Sequence, residues 1–409
     1  MEWHVLPSGR RIVICVRRNG MNKIEEIQAE LRDRQISAWL FYDRHHRDAI
    51  SYRILGLPES LMVSRRWFYL IPAEGEPVKL VHRIEPYHLD TVPGSKQVYA
   101  SWQQLVDQLR ELLSGLPAVA TQFSPSSMIF TVSTADAGTI DLIRSFGVKV
   151  ISSANQVARF EPTWTEEQIL LHLAAGKSID SIRAAVFPEI GKRVRSGGTN
   201  EFEIQQWLME AFRREDLIAD APPIVAVNRN SSDPHYAPTA NENARIREGD
   251  FVLLDVWGKK NNPGGVYYDI SWTGFVGRSA PDRIREIFDI VVRSRDAGIE
   301  KVTTTIASGQ HLSGWEVDKA ARDVLDAAGY AKYLNDRVGH SIGQEVHGNG
   351  ANMDNFESHD ERELLPNTCF SIEPGIYLPE FGLRSEVNML VRRGSAEVTG
   401  RIQSELVLI

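Results

Sequence analysis

Five side chains suited to a divalent cation recur on short apolar runs in the C-terminal part of this sequence. They are Asp255 in FVLLDVWG, Asp269 in VYYDISWTGF, His340 in RVGHSIGQEVH, Glu373 in CFSIEPGIY and Glu386 in GLRSEVNMLV. A carboxylate placed among apolar residues is too costly to keep without a compensating positive charge, and a metal ion supplies one. Oxygen ligands with a single imidazole suit manganese, cobalt, zinc or iron, and four carboxylates carry too much negative charge for one dication. Two divalent ions per chain, manganese first among the candidates, match the set better. Such a pair polarises a carbonyl and turns a bridging water into a nucleophile near neutral pH. Any one of these acids taken alone is more often an ion-pair partner or a turn cap; the set as a whole points to metal.

The carrier runs are rich in Val, Ile, Leu, Tyr and Phe and read as strands, which would present the ligands from a rigid surface. Upstream, Ile24, Ile27 and Leu31 predict an amphipathic helix, SAWLFYD a strand, WFYLIPAEGEPVKLVH two strands around a turn, and SWQQLVDQLRELLSG a helix stopping at Gly115. This alternation makes residues 21–155 a small α/β unit. Pro162, the candidate cap Thr165 and the first-turn pair Glu166 and Glu167 mark a new start near residues 156–164. The division expected is an extension over 1–20, an α/β domain over 21–158 and a catalytic domain over 159–409. A helix pair precedes the aspartate strands, its second member starting at Asn200, and another pair follows them and ends at Gly329. The stretch 351–368, ANMDNFESHDERELLPNT, reads as a long surface loop with a solvated acidic cluster and a solvated His359. His45 and His46 read as solvated surface, and His172, among leucines, as structural.

The pieces LLDVWG, YYDISWTG, GHSIGQEVH, SIEPGIY and LRSEV, in this order, resemble the M24 metallopeptidases. That family has the pita-bread fold and includes Xaa-Pro dipeptidase (prolidase), Xaa-Pro aminopeptidase, methionine aminopeptidase and creatinase. The resemblance covers most of residues 160–409 and implies an α+β chain, with a C-terminal pita-bread fold behind a smaller α/β creatinase-type domain. It implies that Asp255 binds one metal, that His340 and Glu373 bind the other, and that Asp269 and Glu386 bridge both. Glu373 would also shuttle a proton to the leaving amine. His347 is similar to the histidine that steadies the scissile carbonyl, and His235 to an upstream pocket histidine. Arg384 and Tyr377 match substrate-side residues. Three positions and one spacing depart from the pattern: Gly348 replaces an acid, Asp336 a histidine and Trp272 an arginine, and the two aspartates stand fourteen apart because KKNNPGG adds a loop.

The expected activity is hydrolysis of Xaa-Pro bonds in a dipeptide or short peptide by a homodimeric exopeptidase with a metal-activated bridging hydroxide. Alternatives are a creatinase-like C–N hydrolase on the same fold and a catalytically silent binding protein. A net charge of −8, with no long basic run, argues against nucleic acid as a partner. No apolar run reaches membrane-spanning length. Arg10 and Arg11 precede an apolar core too short for an export signal, and two cysteines, Cys15 and Cys369, cannot build a disulfide framework, so a cytoplasmic setting is expected. Cys369 reads as a small buried hydrophobe.

Overall fold

The computed structural model describes residues 22–58 and 60–409. The expected extension over residues 1–20, with Cys15, lies outside them. Ile24, Ile27 and Leu31 are buried on helix α1 (Lys23–Asp33), which Asn22 opens through a capping box shared with Glu25. Strands β1 (Ala38–Asp43), β2 (Trp67–Pro72), β3 (Val78–His82), β4 (Ser95–Tyr99), β5 (Ala118–Thr121) and β6 (Lys149–Ser152) form one sheet in the order β4-β3-β2-β1-β5-β6. Its centre, β1, is buried along its whole length, so it reads as a continuous apolar run without alternation. Helices α2 (Ala49–Leu55), α3 (Trp102–Leu112), α4 (Ala137–Ser145) and α5 (Ala154–Phe160) complete this part. Two apolar clusters, built wholly from residues 24–160, hold it together.

Thr165 caps α6 (Glu166–Arg195) in a capping box with Gln168, as its sequence predicts. Asn200 likewise caps α7 (Glu201–Arg214). Strand β7 (Thr199–Asn200) pairs with β10 (Arg245–Ile246). Around the long hairpin of β11 (Phe251–Lys260) and β12 (Tyr268–Phe275) gather β8 (Leu217–Ile218), β9 (Ile224–Val227) and β19 (Val407–Leu408). The second helix pair, α8 (Asp282–Ala307) and α9 (Gly314–Ala327), follows. Gly329, at φ 86°, ends that pair in the left-handed region that favours glycine. A second sheet runs β13 (Ser341–Ile342), β14 (Cys369–Ile372), β17 (Val387–Arg392) and β18 (Ser395–Val398), beside the hairpin β15 (Gly375–Tyr377) and β16 (Gly382–Arg384).

In the stretch 351–368 Glu357 and Glu361 are exposed, as expected, but four other polar residues correct the sequence reading. Asn352, Asp354, Asp360 and Arg362 are buried. Asp354 accepts hydrogen bonds from the backbone of Phe356, Glu357 and Ser358, and Asp360 accepts from Asn352 N at 2.8 Å and from the Arg362 guanidinium. Arg362 in turn donates to Asn349 O at 2.8 Å. Charges satisfied this completely by backbone and guanidinium need no solvent. His359 is half-buried against Trp315, whereas His45 and His46 are exposed, as expected. Cys369 is buried in β14, and burial pushes its thiol pKa up.

Candidate metal centre

Strand geometry places all five expected ligands on facing surfaces. In the antiparallel pair β11 and β12, Asp255 lies opposite Ser271 and Trp257 opposite Asp269. Side chains two apart share a face, so Asp255, Ser271 and Asp269 point the same way. In the second sheet Ser371 lies opposite Asn388. Glu373 continues the Ser371 face and Glu386 the Asn388 face, while the backbone of His340 bonds to Ser371. Asn388, buried between the sheets, accepts from Asp269 N at 3.1 Å and donates to Asp269 O at 2.6 Å. It does for Asp269 what a neighbouring strand would do and locks the two sheets in register.

The result is a closed cluster in which ligand atoms of Asp269, His340 and Glu386 all lie within 4.8 Å of one another. His340 Nε2 is 3.6 Å from Asp269 Oδ2 and 3.2 Å from Glu373 Oε1. The other ring nitrogen of His340 lies 3.2 Å from Ser341 O, so the Nε2 edge is the one turned to the carboxylates. Ser271 donates to Glu386 Oε2 at 3.0 Å and Ser371 to Glu373 Oε1 at 2.9 Å. Asp269 Oδ1 and Glu386 Oε1, both buried, have no hydrogen-bond partner. Burial first, then the neighbouring carboxylates, hold Asp269 and Glu386 well above the usual carboxylate range. For Glu373 burial is outweighed by His340 and Arg384, which bring it down to about 2. Crowded acids with orphaned oxygens beside an imidazole edge fit a cation as ligands.

Arg384 is buried inside this cluster. Its guanidinium is paired with Asp255, donates to Ser271 Oγ at 2.8 Å and to the Tyr377 hydroxyl at 3.2 Å, and stands 3.7 Å from Glu373 Oε2. Burial raises the Tyr377 hydroxyl to about 12, so it stays protonated. His347 packs edge-on against His340, with ring centroids 4.3 Å apart, and its outer surface is exposed. The His340 charge, then burial and Arg337, lower His347 to about 4. His235 stands apart: it is exposed, and among the described residues no hydrogen bond, ion pair or ring contact joins it to the cluster. Its loop is nevertheless fixed, because the neighbouring Tyr236 hydroxyl donates to buried Glu201 at 2.6 Å.

Two departures have local causes. A Cβ at Gly348 would lie 3.1 Å from Ser341 Oγ and 3.2 Å from Ser341 O, so a side chain there would fit only if Ser341 gave way by a few tenths of an ångström. Trp272 lies under the Arg183 guanidinium, 3.7 Å from the ring centroid, so this face of β12 carries a cation–π contact in place of an arginine. Ser271, Ser371 and Asn388 escaped the sequence reading. Their signal was the period of two: each is a polar residue two positions from a ligand in an apolar strand.

Residues 174–393 match the sequence profile of metallopeptidase family M24. The chain belongs to this family of metallopeptidases. Among its relatives, the M24 chain is 28% identical over 296 residues to the probable dipeptidase PepE of Mycobacterium tuberculosis, covering 72% of this chain and 73% of that one. It is 33% identical over 224 residues to the Xaa-Pro dipeptidase of Lactobacillus delbrueckii subsp. lactis, covering 54% and 55%. Dipeptidase PepE from Mycobacterium ulcerans has a similar structure, with a TM-score of 0.71 at 22% identity over 95% of this chain and 97% of that one. The M24 architecture is thus a pita-bread fold behind a smaller α/β domain. No helix among its described residues is long and apolar enough to cross a membrane.

Proposed function

We propose that this chain is a metal-dependent exopeptidase that hydrolyses the bond before proline in a dipeptide or at the start of a short peptide. The observation that carries it is the pair of orphaned carboxylate oxygens, Asp269 Oδ1 and Glu386 Oε1, on two acids that gather with His340 within 4.8 Å. Asp255, Asp269, His340, Glu373 and Glu386 would hold two divalent ions, manganese first. When bound, such a pair supplies Lewis-acid polarisation of the scissile carbonyl and lowers the pKa of water. Glu373, anchored by Ser371, takes a proton from the attacking water and passes it to the leaving nitrogen. His347, beside His340 and open to solvent, donates a hydrogen bond to the carbonyl oxygen as charge develops there. Arg384 and Tyr377 orient the substrate, and His235 closes the pocket from its loop.

The substrate class is supported by relatives bearing the name Xaa-Pro dipeptidase, two of them above 30% identity. The same reading divides the chain into 21–158 and 159–409, supported by apolar clusters that do not mix across residue 161. One observation favours a second reading, a creatinase-like C–N hydrolase. The Arg384 guanidinium already neutralises Asp255, as a site working without metal requires.

A parallel assay separates them. Manganese-loaded protein should hydrolyse Xaa-Pro dipeptides or Xaa-Pro-led tripeptides, and chelation should abolish turnover. Failure on both peptides with about two ions bound per chain removes the first reading, and metal-independent hydrolysis of another C–N bond installs the second.

A further inference from the structure

The loop carrying His347, residues 343–350, is fastened to the chain unevenly. Its far end is tied to its own sheet: Gly348 N donates to Ser341 O at 2.6 Å, Gly350 N to Ser341 Oγ at 3.0 Å, and Asn349 O accepts from Arg362. Its near end rests on Tyr267 N, which donates to Gly343 O at 2.9 Å, and on Lys259 Nζ, 2.5 Å from Gln344 O. Val346 packs against Trp164, Ile342 and Leu390. Between these anchors lies Glu345, two residues before His347, and its partner comes from a different domain.

That partner is Arg53 on α2. Its Nη1 is 2.6 Å from Glu345 Oε1 and its Nε is 2.6 Å from Glu161 Oε1, at the junction that follows α5. Asn349, on the far side of His347, donates to the same Glu161 oxygen at 3.4 Å. One guanidinium therefore holds two carboxylates, and together they grip the loop on both sides of His347. The Glu161 side chain is 8% exposed and burial raises its pKa, with Arg53 opposing the shift, so Glu161 has little stabilisation to spare. The Arg53 side chain is 17% exposed; its Nη1 donates to the half-exposed Glu345, while its Nε pairs with Glu161 by charge alone, without an aligned hydrogen bond. Without it the two acids would repel each other, with Lys259 left beside Glu345 alone, and the loop would move away from Glu161.

We propose that Arg53 is a positioning residue for the hydrolytic site: a strap from the N-terminal domain that sets the height of His347 over the metal ligands through Glu345 and Glu161. It touches neither substrate nor metal, and its effect passes through the loop backbone. This inference rests on the exopeptidase reading for its catalytic consequence. The strap itself does not depend on it.

The test compares full-length R53A, R53K, E345A and the double variant R53A/E345A, each loaded with manganese. R53A should lower kcat by about tenfold or more, because misplacement on the scale of an ångström costs up to about a hundredfold. KM and metal content should stay within about twofold of wild type. R53K should recover part of the loss. The double variant should be no worse than the poorer single one, since both cut the same link. Backbone amide exchange gives a readout independent of turnover: the Gly343, Gly348 and Gly350 amides should exchange faster in R53A, while those of β14 and β17 should not. Wild-type kcat per metal-loaded site in R53A and E345A, or unchanged exchange in the loop, overturns the proposal even if melting temperature falls. If wild-type protein cleaves no Xaa-Pro peptide, the exopeptidase reading fails instead, and amide exchange alone decides the strap.

Discussion

Asp269 and Glu386 keep carboxylates in a buried site whose neighbours are also acids, and this costs stability until a cation arrives. Asp269→Asn should therefore abolish metal content and turnover, yet leave the chelator-treated protein more stable by about 1–3 kcal/mol in urea unfolding. A variant less stable than wild type without metal would contradict the crowding argument. His172 shows the opposite economy. It is fully buried, with one ring nitrogen 2.7 Å from Tyr267 O and the other 2.6 Å from Thr399 Oγ1, and burial lowers its pKa to about 4. The unfolded value is near 6.5, so the unfolded chain binds the extra proton first. Its contribution is full above about pH 6.5 and is lost as pH falls toward 4, a change of about 3 kcal/mol. Other acids titrate in that window, so the measurement is the difference in stability between wild type and His172→Gln across it. A flat difference curve would rule out a neutral buried imidazole.

At the level of elements, function depends on two sheets being held in register by side chains and not by a continuous ladder. Asn388 on β17 satisfies both backbone groups of Asp269 on β12, and Glu386 N reaches Ser271 O at 3.4 Å. Asn388→Leu leaves a buried N–H and C=O unpaired and should cost about 2–5 kcal/mol, read as a lower urea midpoint. Metal affinity should fall with it, because Asp269 loses its fixed height. A variant with weakened metal binding at unchanged midpoint would show that Asn388 tunes the ligand without holding the sheets. Gly339, next to His340, leaves no room for a side chain: a Cβ there would run into the carbonyl of Ser371. Gly339→Ala should displace β14 and with it His340 and Glu373, seen as loss of metal content.

Across the whole molecule, the apolar clusters of the described residues fall into two groups that do not mix, and polar contacts such as Arg53 with Glu345 run between them. The expected metal ligands all lie in the second group. Calorimetry should resolve two unfolding transitions, and manganese should raise only the one belonging to residues 166–409, by the mass-action amount its affinity dictates. A single transition that moves as a whole on adding metal would mean that the two parts fold as one unit.

Residue types and flanking patterns alone determined the apolar strands, the helix cap at Thr165 and the helix start at Asn200, because strand alternation and capping are local physics, and they singled out the five residues proposed as ligands. Tertiary structure alone decided what those residues face. Arg384 neutralising Asp255, Asn388 joining the sheets, Asp354 and Asp360 buried in a segment that reads as solvated, and Arg53 reaching Glu345 all join groups whose partners depend on how sheets and domains pack. A charge in sequence carries no sign of whether backbone amides, a guanidinium or water will satisfy it. Only the packed chain settles which, since burial sets how costly each unpaired group would be.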